Sequence, residues 1–143
     1  MSFDILGWLV LLATLSLYVC YSDIKSRTIG NRVCGVIAIN CIALSVVNGN
    51  SAFITAPLIV LTFGIVLSNF KLLGGGDSKL LAAYLIAIEP SNIASILVII
   101  GILGGILSLA YLIINKLTQK LKPGVPYGVA IAMGGFIGVA ASL

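Results

Sequence analysis

The sequence predicts an all-α, polytopic membrane protein with six transmembrane helices and both termini outside, and three observations carry that expectation. Of 143 residues, 60% are hydrophobic and only 8% charged, against roughly 45–50% and about 25% in ordinary soluble domains. The apolar residues gather into six runs separated by short polar connections. All eight Lys and Arg residues fall in or beside alternate connections. A chain of this length holds one domain, so residues 1–143 read as a single membrane-embedded unit.

The first run, Ile5–Tyr21, follows Met1-Ser-Phe-Asp, which lacks the basic start of a secretory signal, and no small-residue cleavage site appears. It is expected to remain as a membrane helix. The second run is Val33–Val47. The third, Ala52–Phe70, carries Pro57 early, an expected kink site. The fourth, Leu80–Ile88, is shorter than the roughly 17–25 residues of a span, unless Asp77, Ser78 and Lys79 belong to the same helix. The fifth, Ile93–Ile114, and the sixth, Val125–Leu143, contain Gly101-x-x-x-Gly105 and Gly134-x-x-x-Gly138, spacings that let helices pack closely. Pro123-Gly-Val-Pro-Tyr-Gly128 reads as a turn into the last helix, with Pro126 suited to its first turn.

Charge sets the orientation. Lys25, Arg27 and Arg32 follow the first run, Lys71 and Lys79 flank the third connection, and Lys116, Lys120 and Lys122 fill the fifth. The second and fourth connections, Asn48-Gly-Asn-Ser and Glu89-Pro-Ser-Asn, carry no base, and Asp4 and Glu89 lie on their side. Positive residues favour the cytosol. Asp23, closing the first helix, and Asp77, opening the fourth, therefore share the cytosolic membrane edge. The net charge of +4 is absorbed by this pattern and does not indicate nucleic acid.

Histidine is absent, which excludes Ser-His-Asp and Cys-His catalysis and His-ligated metals. Cys20, Cys34 and Cys41 lie in apolar stretches without CxxC spacing and read as packing residues, so no metal and no cofactor is expected. What remains is carboxylate chemistry. Gly74-Gly-Gly-Asp77 implies a backbone that bends or passes close to a neighbour, with Asp77 at a helix start, where N-capping is its ordinary role. Asp23 has its own plain reading as a loop acid balanced by Lys25 or Arg27. The pair says more: acids beside a bilayer are costly and mark functional sites, and two of the four acids in the chain converge. Close carboxylates share a proton near neutral pH. One can then take a proton from water while the other hydrogen-bonds a scissile carbonyl, giving a gem-diol. A helix start favours charge on Asp77 and hints at the base, but the proton belongs to the pair and the base stays unassigned. The nearby cations Lys25, Arg27, Arg32, Lys71 and Lys79 have an adequate explanation in snorkelling and topology.

Three strings resemble those of a known family. Gly74-Gly-Gly-Asp77-Ser-Lys79-Leu contains the GxGD signature of membrane aspartyl proteases and looks like the GGGDxKL string of the prepilin peptidases. Asp23-Ile-Lys25-Ser-Arg27-Thr-Ile-Gly-Asn31 resembles that family's first aspartate motif, with Gly30 where the pattern has Pro. Pro126-Tyr127-Gly128-Val-Ala-Ile-Ala132 resembles its segment in the last helix. The resemblance implies a six-helix inner-membrane endopeptidase that cuts the leader of type IV or Flp prepilins or pseudopilins at the cytosolic face, with Asp23 and Asp77 as the catalytic pair. Gly74, Gly75, Gly76, Lys79, Lys25, Arg27, Asn31, Pro126, Tyr127 and Gly128 would support them or contact substrate. Its partners would be the bilayer and a prepilin with a transmembrane segment. The paired cysteines of bifunctional members are missing, so N-methyl transfer is not expected.

Two other classes compete. A proton-coupled carrier would place its acids near the bilayer midplane, whereas both acids here lie at an edge. A structural assembly subunit leaves the glycine run and the paired acids unexplained. Within the peptidases, an archaeal-type preflagellin peptidase shares the same GxGD logic.

Overall fold

The computed structural model describes residues 3–49, 54–70, 74–118 and 124–143. The expectations for Lys71, Lys120, Lys122 and Pro123 lie outside the described residues. Six helices form among the described ones: α1 (Phe3–Ser26), α2 (Asn31–Val47), α3 (Thr55–Asn69), α4 (Gly75–Leu85), α5 (Pro90–Thr118) and α6 (Tyr127–Ala141). Each coincides with one apolar run. In an apolar setting a segment must satisfy its own backbone, and a helix does so within itself.

Four helices close a ring in which α1 packs on α2, α2 on α4, α4 on α6 and α6 on α1; α3 lies against α4 and α5 against α6. The short α4 is well enclosed, with Leu80, Tyr84, Leu85 and the following Ile88 fully buried. Its position explains its length: a helix surrounded by α2, α3 and α6 need not cross a bilayer. The expectation of six full spans is accordingly narrowed. Among the described residues, only α1 and α5 are by length and composition long and apolar enough to cross a membrane. At 15 to 17 residues, α2, α3 and α6 measure about 22–26 Å, and the 11 residues of α4 about 16 Å, short of a hydrocarbon core of about 30 Å.

Polarity is inverted relative to a soluble bundle. Large apolar side chains such as Leu17, Phe63, Phe70 and Leu117 stand exposed, while Ser16, Asp23, Asn40, Ser45 and Ser78 are buried. The buried polar groups pin helices to one another. Ser16 and Tyr84 share a hydrogen bond of 2.6 Å between α1 and α4. Asn40 donates to the Trp8 carbonyl of α1, and Ser45 to the Ile86 carbonyl after α4. At the far end of α6, the Ser142 hydroxyl accepts from the Glu89 N–H at the start of α5.

Glycines set how near the helices come. A Cβ on Gly135 would lie 2.5 Å from the Tyr84 ring, and one on Gly138 would meet Ile88 and Ile96. The α6 spacing therefore packs as expected. The α5 spacing does not, since Gly101 and Gly105 face open space. Their neighbour Gly104 makes the contact instead, taking the Tyr127 ring where a Cβ would lie 2.8 Å away. Nor is a kink required at Pro57: it falls in the first turn of α3, where N–H groups have no intrahelical acceptor to lose.

Candidate active site

Asp23 sits in the last turn of α1 and Asp77 in the first turn of α4. The chain brings them to one cavity of about 360 Å³, lined also by Arg27, Thr28, Ile29, Gly74, Gly75, Gly76, Gly124, Val125 and Tyr127. Three helix ends and the loop after α1 thus meet around a single space.

The start of α4 differs in detail from the expectation. Gly74 is the N-cap residue, with extended backbone at φ −68° and ψ 128°, so Asp77 stands three residues inside the cap. The three glycines have no positive φ; what they supply is close approach. A Cβ on Gly74 would lie 2.7 Å from Oδ2 of Asp77, one on Gly75 3.3 Å from the Ser68 hydroxyl, and one on Gly76 3.2 Å from Ile29. The carboxylate of Asp77 folds back over its own cap because nothing occupies that place.

Asp23 is held from the other side. Its side chain is 5% exposed and lies against the first turn of α6, where a Cβ on Gly128 would be 2.8 Å from Oδ2. Burial makes charge on this carboxylate costly, and hydrogen bonds from the amides of Gly128 and Val129 and the charge of Arg27 act against that cost. Oδ2 is buried without a hydrogen-bond partner among the described residues, so it is not bonded to Asp77. Pro126 serves as the N-cap of α6 and leaves Tyr127 and Gly128 as its first residues.

Asp77 lies ahead of the apolar run that begins at Leu80. Burial, and then the charge of Asp23, push its carboxyl up from 3.8 to about 6. Burial thus outweighs the helix-start dipole that hinted at a charged Asp77. The like charge of Asp23 is the smaller of the two causes, and it couples the two acids electrostatically.

The other expected residues divide. Arg27, Tyr127 and the three glycines line the cavity, and Gly128 backs Asp23. Lys79 does not reach the acids. Its ammonium donates to the Asn31 side chain at 2.9 Å, tying α4 to the start of α2. Lys25 lies along Tyr21, donating to its hydroxyl at 2.9 Å. The loop after α1 is stitched by Ser22 donating to the Thr28 carbonyl and by Thr28 donating to Ser26, order that does not depend on a proline at position 30. Thr28, Gly124 and Val125 of the cavity wall were not among the expected residues, and neither were two further contributors. Ile29 wedges between the starts of α4 and α6, touching the places of Gly76 and Gly128. Tyr111 lies 4.6 Å beneath the Arg27 guanidinium. Ile29 stood inside a string already singled out, whereas nothing in an apolar run marks Tyr111. Among the described residues no group of three or more His, Cys, Asp or Glu side chains is placed to hold a metal ion.

Fold and cavity together define a class: a helical bundle with an apolar exterior whose polar cavity holds one acid from each of two helices. The chain belongs to the type IV leader peptidase family, whose model matches residues 10–109, a stretch that includes both aspartates. No curated protein and no solved structure matches it.

Proposed function

We propose that the protein is a membrane aspartyl endopeptidase that removes the leader of type IV or Flp prepilins or pseudopilins, with Asp23 and Asp77 activating water. The observation that carries this reading is the convergence of the two acids on one cavity, with the Asp77 carboxyl raised to about 6. Asp77 carries the shared proton and Asp23 the charge. Asp23 is buried too, but hydrogen bonds from the α6 amides and the nearby charge of Arg27 offset part of the cost of charging it and support this assignment; Asp77 has burial and a like charge around it.

Asp23 then takes a proton from water as the oxygen attacks the scissile carbonyl carbon. Asp77 gives its proton to the carbonyl oxygen, and a gem-diol results. Collapse of the gem-diol breaks the C–N bond, with a proton passing to the leaving nitrogen. The water between the acids needs space, and the cavity supplies it.

The apolar exterior supports a bilayer setting. In it all six helices lie in the membrane, the enclosed α4 crossing only part of it, with both termini outside. The one-sided bases support a cavity at the cytosolic face of the inner membrane. A prepilin has a charged leader and an apolar helix, so its cleavage junction arrives at that depth by hydropathy alone. Asp23→Asn and Asp77→Asn keep side-chain shape and remove the carboxylate. Each is expected to abolish processing of a co-expressed prepilin from the same genome, followed by its mobility on gels. Normal processing by either variant would overturn the reading.

A further inference from the structure

Arg27 is the residue that follows α1, and its backbone is left-handed at φ 57°. Its N–H donates to the Asp23 carbonyl at 3.0 Å, the geometry in which a chain leaves a helix and in which glycine is the usual occupant. A side chain is kept where glycine would be easier. That side chain is neither loose nor satisfied. Its guanidinium plane rests on the Tyr111 ring, 4.6 Å from the centroid. Both Nε and Nη1 are buried and have no acceptor among the described residues, although buried donors in folded proteins are nearly always paired. The residue lines the cavity with Asp23 and Asp77.

We propose that Arg27 is a substrate-anchoring residue, whose unpaired Nε and Nη1 donate to main-chain carbonyl oxygens of the peptide segment lying in the Asp23–Asp77 cavity, beside the bond to be cut. The inference rests on the peptidase reading and adds to it the group that grips the substrate backbone. Charge decides the class of acceptor. The charged Asp23 lines the same cavity and repels an acidic side chain or a lipid phosphate, whereas a neutral carbonyl meets no such barrier. Tyr111 fixes the guanidinium plane, so its donors are oriented before substrate arrives. The left-handed backbone places residues 23 and 27 together, so the acid that activates water and the cation that holds the substrate move as one piece.

The experiment uses the full chain in nanodiscs of neutral lipid and a fluorogenic peptide spanning a prepilin cleavage junction. Arg27→Gln is expected to lower kcat/KM by about tenfold or more, chiefly through KM, while the acid limb of the pH profile moves because the Arg27 charge no longer acts on Asp23. A residue that merely tuned the acids would shift that limb and leave KM alone, and an unchanged KM would overturn the proposal. A series of substrates with a single thioamide, a poor acceptor, next to but not at the scissile carbonyl supplies the second measurement. One position is expected to cost the wild type about tenfold and to cost Arg27→Gln nothing further. A penalty undiminished in the variant, no penalised position in the wild type, or a loss seen only with acidic substrates or anionic lipid would each refute main-chain anchoring. The wild-type series reads out even if Arg27→Gln fails to assemble, which its melting curve would reveal. Wild-type kinetics in Arg27→Gln beside an inactive Asp77→Asn would defeat this inference alone; an active Asp77→Asn would defeat the peptidase reading beneath it.

Discussion

At the scale of single residues, Asp77 places chemistry and stability in opposition. Its folded carboxyl releases its proton at about 6 rather than 3.8, because burial and then Asp23 disfavour the charge. Between those two values the unfolded chain binds fewer protons than the folded one, so this residue's contribution to stability falls as pH rises through the window and is level above it. Asp77→Asn has no such proton to lose. Its melting temperature should therefore gain on that of the wild type as pH rises from about 4 to about 6 and hold the lead above that, while cleavage is abolished. A constant difference across the range would show that the carboxyl is not raised. Gly128 gives the converse case. The atoms nearest an added Cβ belong to two side chains, the Asp23 carboxylate and the Ile29 methyl, and not to backbone, so the helices need not part to admit it. Movement of the carboxylate is costly for catalysis, where misplacement by about 1 Å can lose about 100-fold. Gly128→Ala is expected to melt near the wild type and to cleave about 100-fold more slowly, as a prepilin time course would record.

At the scale of elements, the local sequence accounts well for where helices begin and less well for what their ends do. Gly30 is the N-cap of α2 at φ −68° and ψ 136°, a conformation that proline also adopts. A Cβ there would meet nothing within 4 Å, and the backbone N–H of Gly30 is not among the loop hydrogen-bond donors. Gly30→Pro should thus restrict the unfolded chain without straining the folded one and add about 0.4–1 kcal/mol, measurable as a rise in melting temperature with cleavage retained. The start of α4 shows the opposite relation. Three glycines in a row suggested a bend or a close approach, and the close approach is what they supply: the backbone there is ordinary helix and cap, and the glycines make room for the Asp77 side chain, Ser68 and Ile29. Spacing in a sequence records that a side chain is missing. It does not record which neighbour occupies the space, and so the α6 glycines proved to be a packing seam while Gly101 and Gly105 did not.

At the scale of the whole molecule, the ring of α1, α2, α4 and α6 brings together residues that lie far apart in the chain. The bilayer orientation inferred from charge makes its own prediction. An alkaline phosphatase fused after Gly49 should fold outside and be active, while one fused after Thr28, beside the cavity, should stay inactive; activity at Thr28 would reverse the topology. The sequence by itself determined the helical class, the six segments, the expected sidedness and the two acids, because hydropathy, charge and helix length are sums over neighbouring residues. It also held the strings that matched a peptidase family. Only the tertiary structure decided that α4 is an enclosed short helix, that Lys79 binds Asn31 rather than the acids, and that Arg27 stands over Tyr111 with donors unpaired. Those facts depend on the rotation and offset of each helix against the next. Such offsets are set by contacts like Tyr84 on Gly135 and Asp23 on Gly128, between residues about 50 to 105 positions apart, which no local sum contains.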